Sequence, residues 1–238
     1  MSAGPGFLRA LGLVLRKDLR VEARSRGAAT TMLVFALLVL FTFALAMPKG
    51  ATATADRPPG AMPPHAAGVL WVAILFAAVI GASRAYAVET AGGGLDGLAL
   101  SPADPAAVYL GKLLALGFEL VLLALVVVPA AFVLFGHAPG SELAPFALFA
   151  GLGIVGIAAV ACLLGALTAG LAGRDFVLPL LLLPIALPQL VALVRGTDML
   201  LAGLSLADLG DTLVVVAAFD LAHLAASAVL FEFVVGGD

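Results

Sequence analysis

The sequence predicts an all-α integral membrane protein with six transmembrane helices, and three observations carry that expectation. First, 63% of the 238 residues are hydrophobic and only 11% are charged, whereas an ordinary soluble domain is about 25% charged. Second, the mean hydropathy is +1.19, too apolar for a soluble particle of this size to cover its surface. Third, the apolar residues fall in blocks of about twenty, each long enough to cross a hydrocarbon core of ~30 Å at about 1.5 Å per residue. The net charge of −3 says nothing about partners. A lipid bilayer is the expected surrounding, and no nucleic-acid partner is expected.

Residues 6–26 read as an amphipathic helix at the membrane surface. Phe7, Leu8, Leu11, Leu15 and Leu19 recur at helical spacing, and Arg9, Arg16, Lys17, Arg20 and Arg24 fill much of the rest. Apolar side chains can sink into the headgroup boundary while the cations meet lipid phosphates; the alternative is a cytosolic helix packed on a partner. The basic run is too long for the charged region of a cleavable signal. Residues 1–27 are therefore expected to be an interfacial helix and residues 28–238 a six-helix membrane domain.

Span one is expected over residues 28–47, span two over 68–86, span three over 112–135, span four over 143–172, span five over 176–194 and span six over 212–235. Six spans put both termini on one side. Lys and Arg in the short loops set the orientation. With the N-terminus inside, nine lie inside (Arg9, Arg16, Lys17, Arg20, Arg24, Arg26, Arg84, Lys112 and Arg174) and three outside (Lys49, Arg57 and Arg195). Both termini are expected in the cytoplasm.

Span four carries small residues four apart at Ala161, Gly165, Ala169 and Gly173, a stripe that lets another helix approach closely in lipid. Span five contains Pro179, Pro184 and Pro188; each removes a backbone donor from its helix. The lone cysteine, Cys162, lies inside an apolar block, so no intrachain disulfide is possible.

Catalytic motifs are missing from the sequence. Ala106 stands where a phosphate-binding loop ending in Gly111-Lys112 needs its first glycine, and no His-Glu-x-x-His, Cys pair or Gly-x-Ser-x-Gly occurs. No catalytic residue, metal site or bound cofactor is expected, although His65 and His137, in predicted outer loops, could reach one metal or haem iron together. Ionisable groups within spans call for a functional hypothesis. Glu119 lies in span three, and Asp220, His223 and Ser227 form one polar stripe on span six. The stripe must face protein or water, as a lined pathway, a proton relay or polar glue between helices. Glu119 and Asp220 differ in expected depth by roughly 8 Å, too far for direct pairing.

The interval at residues 87–105 is the most informative. It carries Glu89, a run of glycines, a leucine-bearing turn with Leu95, Asp96 and Leu98, and then Pro102. Asp104 is placed to cap the next helix, with Pro105 in its first turn. A short amphipathic helix held between two spans on the cytoplasmic side can act as a lever. A partner gripping it would move both spans, which suggests a transporter membrane subunit driven by a separate ATPase.

The chain resembles the CcmB family, haem exporter protein B of cytochrome c maturation, a permease of the ABC-2 type. The resemblance runs nearly end to end. It lies in RKDLRVEARSR (16–26), LWVAILFAAVIGASRAYAVE (70–89), GLDGLALSPADPAAVYLGKLL (94–114), LPLLLLPIALPQLV (178–191), AFDLAHL and LFEFVV. Their order, spacing and the total length make the match specific. One departure falls after Tyr86, where the family carries Arg and Glu and this chain has Val88, Thr90, Ala91 and Gly92, with Glu89 at the expected acidic position.

The resemblance implies a separate ATPase subunit, CcmA, binding the ATP, and two copies of each chain in the complex. It implies CcmC and CcmD as neighbours in the bacterial inner membrane and the haem chaperone CcmE on the periplasmic side. Haem would be the cargo, exported or released with the chaperone, and the coupling residues would be Glu89, Leu95, Asp96, Leu98, Pro102 and Asp104. Other classes stay open: a general ABC-2 exporter of a drug or lipid, a proton-coupled carrier using Glu119, Asp220 and His223, and a scaffold for CcmC.

Overall fold

A computed structural model describes residues 6–25, 27–46, 62–63, 65–91 and 104–235, with the side chains of 91 and 232–235 left aside. Among the described residues there are seven α-helices: α1 (Phe7–Ser25), α2 (Gly27–Ala46), α3 (Ala66–Ala91), α4 (Pro105–Phe135), α5 (Leu143–Thr168), α6 (Arg174–Leu201) and α7 (Gly210–Val235). A single 3₁₀ turn, Leu206–Leu209, precedes α7. Helices α2 to α7 each contain a stretch long and apolar enough to cross a membrane, so the six expected spans are present and the chain is a multi-pass membrane protein.

The spans form one bundle around a shared core. Helices α3 and α5 are its most buried members, whereas α2, α6 and α7 bury only a minor part of their apolar stretches. Leu38, Leu125, Leu180 and Leu221 are each at least 60% exposed, which in water would be a large defect and against acyl chains is the expected surface.

Several boundaries differ from expectation, each for a packing reason. Helix α3 runs on to Ala91, because Glu89 finds cationic partners and the helix can continue through Val88 and Thr90. Helix α4 begins at Pro105, seven residues before the expected start. Asp104 takes an extended conformation, its Oδ1 accepting from the Ala106 N–H at 2.9 Å, with Pro105 in the first turn. At 31 residues, about 46 Å by helix rise, α4 is longer than a hydrocarbon core of ~30 Å requires. Helix α5 stops at Thr168, short of the expected 172. Helix α6 continues to Leu201, past the expected end of span five at 194. Gly196 there sits against the Phe149 ring, with no room for a Cβ, and Thr197 is fully buried.

Helix α1 packs on its own chain. Gly111 of α4 lies beneath it, where an added Cβ would stand 2.8 Å from Val14 Cβ and 3.1 Å from the Leu11 carbonyl. Ala10 is buried, while Phe7, Leu8 and Leu13 remain exposed at 40%, 81% and 55%. The inner part of the apolar stripe thus meets α4, and only the outer part is left for a lipid surface.

Candidate functional site

Two polar constellations are built into the bundle. The first lies at the end where α1, α3 and α4 meet, and joins four charged residues. Lys112 is 2% exposed, and its Nζ donates to Glu89 Oε1 at 2.9 Å and Asp18 Oδ2 at 3.3 Å. The same ammonium stands 5.0 Å from the centre of the Tyr86 ring, a further favourable contact for a desolvated cation. Lys17 also donates to Glu89 and lies 3.1 Å from Asp18. Two cations face two anions, so the group is charge-balanced, the arrangement that makes burying a lysine tolerable. Burial acts to lower the Lys17 pKa, but the hydrogen bond to Glu89 and the nearby Asp18 charge outweigh it and hold the group above the ordinary lysine value.

Other contacts fasten the same end. Glu22 of α1 accepts from the Ala29 N–H at 2.7 Å in the first turn of α2, where helix N–H groups lack internal partners and favour an anion. Arg174, opening α6, donates from Nη1 to Thr90 Oγ1 of α3 at 2.7 Å. A cavity of about 160 Å³ lies beside the cluster, lined by Lys17, Glu22, Arg84, Glu89, Lys112 and Glu119 among others. Glu119 also edges a mainly apolar groove of about 490 Å³ between α1, α2 and α4. It does not pair with Asp220, whose Oδ1 meets Gln189 and whose Oδ2 has no partner.

The second constellation is near mid-span. Gln189 of α6 donates from Nε2 to Asp220 Oδ1 of α7 at 2.6 Å, and both residues are almost wholly buried. They occupy the notch above Gly156 of α5, where a Cβ would collide with the Asp220 carboxyl and the Gln189 amide. Ser227 is fully buried and lies beside the Tyr109 hydroxyl. His223 is half-buried with an unpartnered Nδ1, its ring 5.8 Å from that of Phe219. Asp220, His223 and Ser227 therefore share one face of α7 without bonding to one another. Nearby, the Tyr109 hydroxyl donates to the Ala159 carbonyl at 3.1 Å.

The remaining sequence candidates fall as follows. Leu95, Asp96, Leu98 and Pro102 lie outside the described residues, while Glu89 and Asp104 stand on either side of them. Ala161, Gly165 and Ala169 are buried, with Gly165 against the Tyr86 ring. Gly173 is a correction: it is not a packing position of that helix. It is exposed, has a φ of +81°, and starts α6 from open space. His137 faces inward on its own loop, with Nε2 3.2 Å from Glu142 Oε1 and its ring 4.9 Å from that of Phe132.

Sequence reading missed Lys17, Asp18, Lys112, Gln189 and Gly156 as site residues. Two had a usable signal. Gln189 is the only side-chain amide in the chain, and it sits inside a span. Lys112 interrupts a helix that is otherwise apolar from Leu113 onward apart from Glu119.

Comparison with known proteins agrees along nearly the whole length. Residues 9–235 match the family model described as CcmB protein. The heme exporter protein B of Paracoccus denitrificans (strain Pd 1222) is 31% identical over 218 residues, covering 89% of this chain and 92% of that protein. The heme exporter protein B of Rhodobacter capsulatus is also 31% identical, over 183 residues that cover 75% of this chain and 78% of that one. This six-span membrane protein belongs to the CcmB family.

Proposed function

We propose that the chain is the membrane-spanning permease subunit of an ABC-type complex for haem export in cytochrome c maturation. It couples ATP hydrolysis on a separate subunit, CcmA, to export of haem or to release of the haem-loaded chaperone CcmE. Two copies would assemble with CcmC and CcmD in the bacterial inner membrane, both termini in the cytoplasm. Family membership and the names of the relatives support the haem assignment. The excess of Lys and Arg at the α1 end supports the orientation.

The observation that carries the coupling reading is the Lys112–Glu89–Lys17 junction. Residues 92–103 connect α3 to α4, and Glu89, near the last turn of α3, is bonded to Lys112 on α4 and Lys17 on α1. A displacement of that segment reaches three helices at once through direct ionic contacts. In this reading Leu95, Asp96 and Leu98 meet the ATPase and Pro102 and Asp104 set the restart of α4. Glu89 acts behind them, as the tie that carries motion inward.

The test is deletion of residues 95–98 followed by co-purification with the ATPase subunit. Loss of the ATPase from a still-folded, membrane-inserted chain is the expected result. Undiminished co-purification removes the segment as the docking site and the coupling reading with it.

A further inference from the structure

The mid-span pair poses a problem of protons rather than of packing. Gln189 Nε2 reaches Asp220 Oδ1 at 2.6 Å. The other oxygen of each group, Asp220 Oδ2 and Gln189 Oε1, is buried and has no partner. An ionised Asp220 would set two acceptors in the interior with nothing to donate to either. One proton on the carboxyl changes this, because the acid then offers a donor and an acceptor side by side, as the amide does. A carboxylic acid and a primary amide can then close a ring of two hydrogen bonds. Turning the amide over leaves the same need, since two oxygens 2.6 Å apart also require a proton between them.

Among the described residues, no helix packed on the pair gives it a salt bridge: the charges of α4, which also packs on α7, are Lys112, committed to Glu89 and Asp18, and Glu119, beside the same cavity. Helix α5 contributes the bare backbone of Gly156 and has no ionisable side chain besides Cys162. On α6 the ionisable residues are Arg174, Asp175, Arg195 and Asp198, all toward its ends and at least six positions from Gln189. On α7 the nearest is His223, whose Nδ1 is unpartnered, and beyond it Asp211 and Glu232 lie toward the ends. A lone carboxylate amid such helices costs far more than one amide hydrogen bond returns.

We propose that Asp220 is a proton-binding site: it carries a proton in the resting chain and pairs with Gln189 as a neutral acid–amide ring seated in the Gly156 notch. The ring fastens α6 to α7 at a level where α6 is weakened by Pro184 and Pro188, each of which denies its helix a backbone donor. The inference needs the six-span fold but not the haem or ATPase assignment.

Infrared spectroscopy of the purified full chain in lipid nanodiscs, with aspartate alone carrying ¹³C at its carboxyl, reads the proton directly. The aspartate label keeps Glu119 out of the signal. The expected spectrum at neutral pH has a protonated-carboxyl C=O band that shifts with the label and in heavy water and is lost in Asp220→Asn. In Gln189→Leu the same band moves to higher frequency, because the acid loses its partner. Labelled wild-type protein decides the matter even if a variant fails to fold: only ionised-carboxylate bands from aspartate at neutral pH overturn the proposal. The folding arm is independent. Asp220→Asn, which can form the same ring between two amides, should melt with the wild type, and Asp220→Leu should melt well below it. Equal melting of the Asn and Leu variants would also overturn the ring.

Discussion

The charged junction at the α1 end and the acid–amide pair at mid-span bury comparable polar groups by opposite means. The junction keeps its charges and balances them: Lys112 meets two carboxylates and an aromatic face, and Lys17, its side chain 48% exposed, closes the group toward water. The mid-span pair has no counter-ion, and its atoms are under-partnered. Depth accounts for the difference. Solvent reaches the junction at the half-exposed Lys17, so a full ion pair survives there, whereas in a hydrocarbon interior charge is expelled and polarity is retained only as hydrogen bonding. On the proposed coupling, salt bridges suit a junction that passes force, and a neutral mid-span contact can break without leaving ions behind.

The largest expected effect breaks the junction at its most buried member. Lys112→Met removes the cation and leaves Glu89 and Asp18 with Lys17 alone. Leaving a buried charge without its partner costs about 3–5 kcal/mol, read as a clear fall in melting temperature of the purified chain. Adding Glu89→Gln to Lys112→Met should recover a substantial share of that loss, because the orphaned carboxylate is then neutral. If Lys112→Met melts with the wild type, the junction is a surface feature and the contrast with mid-span collapses.

Next comes the notch. Gly156→Ala pushes a methyl group into the Asp220–Gln189 contact, and overpacking of this kind costs about 1–3 kcal/mol. Gly151 on the same helix meets nothing within 4 Å, so Gly151→Ala is the control. It should be neutral or stabilising, since alanine is favoured over glycine in a helix by about 1 kcal/mol. Equal losses at both positions would show that α5 tolerates no added bulk anywhere and that the notch is not specific.

A smaller effect tests the gradient inside the junction itself. Lys17→Met removes the more exposed cation while Glu89 keeps Lys112. Exposed pairs contribute about 0–1 kcal/mol, so thermal melting should move by only a fraction of the Lys112 effect. A loss as large as that of Lys112→Met would place the anchor of the cluster on α1 instead of α4.

The six spans were legible because run length and charge depletion are local properties, and each apolar block announces itself without reference to any other. The cap at Asp104 was legible for the same reason, since Asp before Pro is a helix start whatever surrounds it. The junction was not legible, because its members lie 72 and 94 positions apart, and periodicity shows a face without showing what it faces. Asp220 was picked out as a polar residue within a span, but Gln189 was hidden in a proline-rich run and Gly156 among the other glycines of its helix. Residues 195–201 misled by composition: Arg195, Gly196, Thr197 and Asp198 look like a loop, yet the Trp71 indole N–H donates to Thr197 Oγ1 at 2.8 Å and keeps them helical. Gly165 and Gly173 differ likewise by context alone, one against a ring and one a left-handed turn.

The smallest effect concerns a charge in the loop between α4 and α5, where the Glu142 side chain is 15% exposed. Partial burial acts to raise the pKa of Glu142, but the backbone N–H groups of Glu142 and Gly140, together with His137, hold it below the ordinary glutamate value. A carboxyl whose folded pKa is depressed contributes stability that is present in full above its unfolded pKa, about 4.3, and is lost as pH falls through the folded value. Glu142→Gln should therefore melt slightly below the wild type at neutral pH, by about 1 kcal/mol or less for an ion pair at a loop. The gap should close on acidification below pH ~4, once the wild-type carboxyl is also neutral. A gap that persists unchanged into acid would mean that Glu142 acts through shape and hydrogen bonding instead of charge. The loop would then follow the uncharged logic of mid-span, and depth alone would no longer explain where this chain keeps its ions.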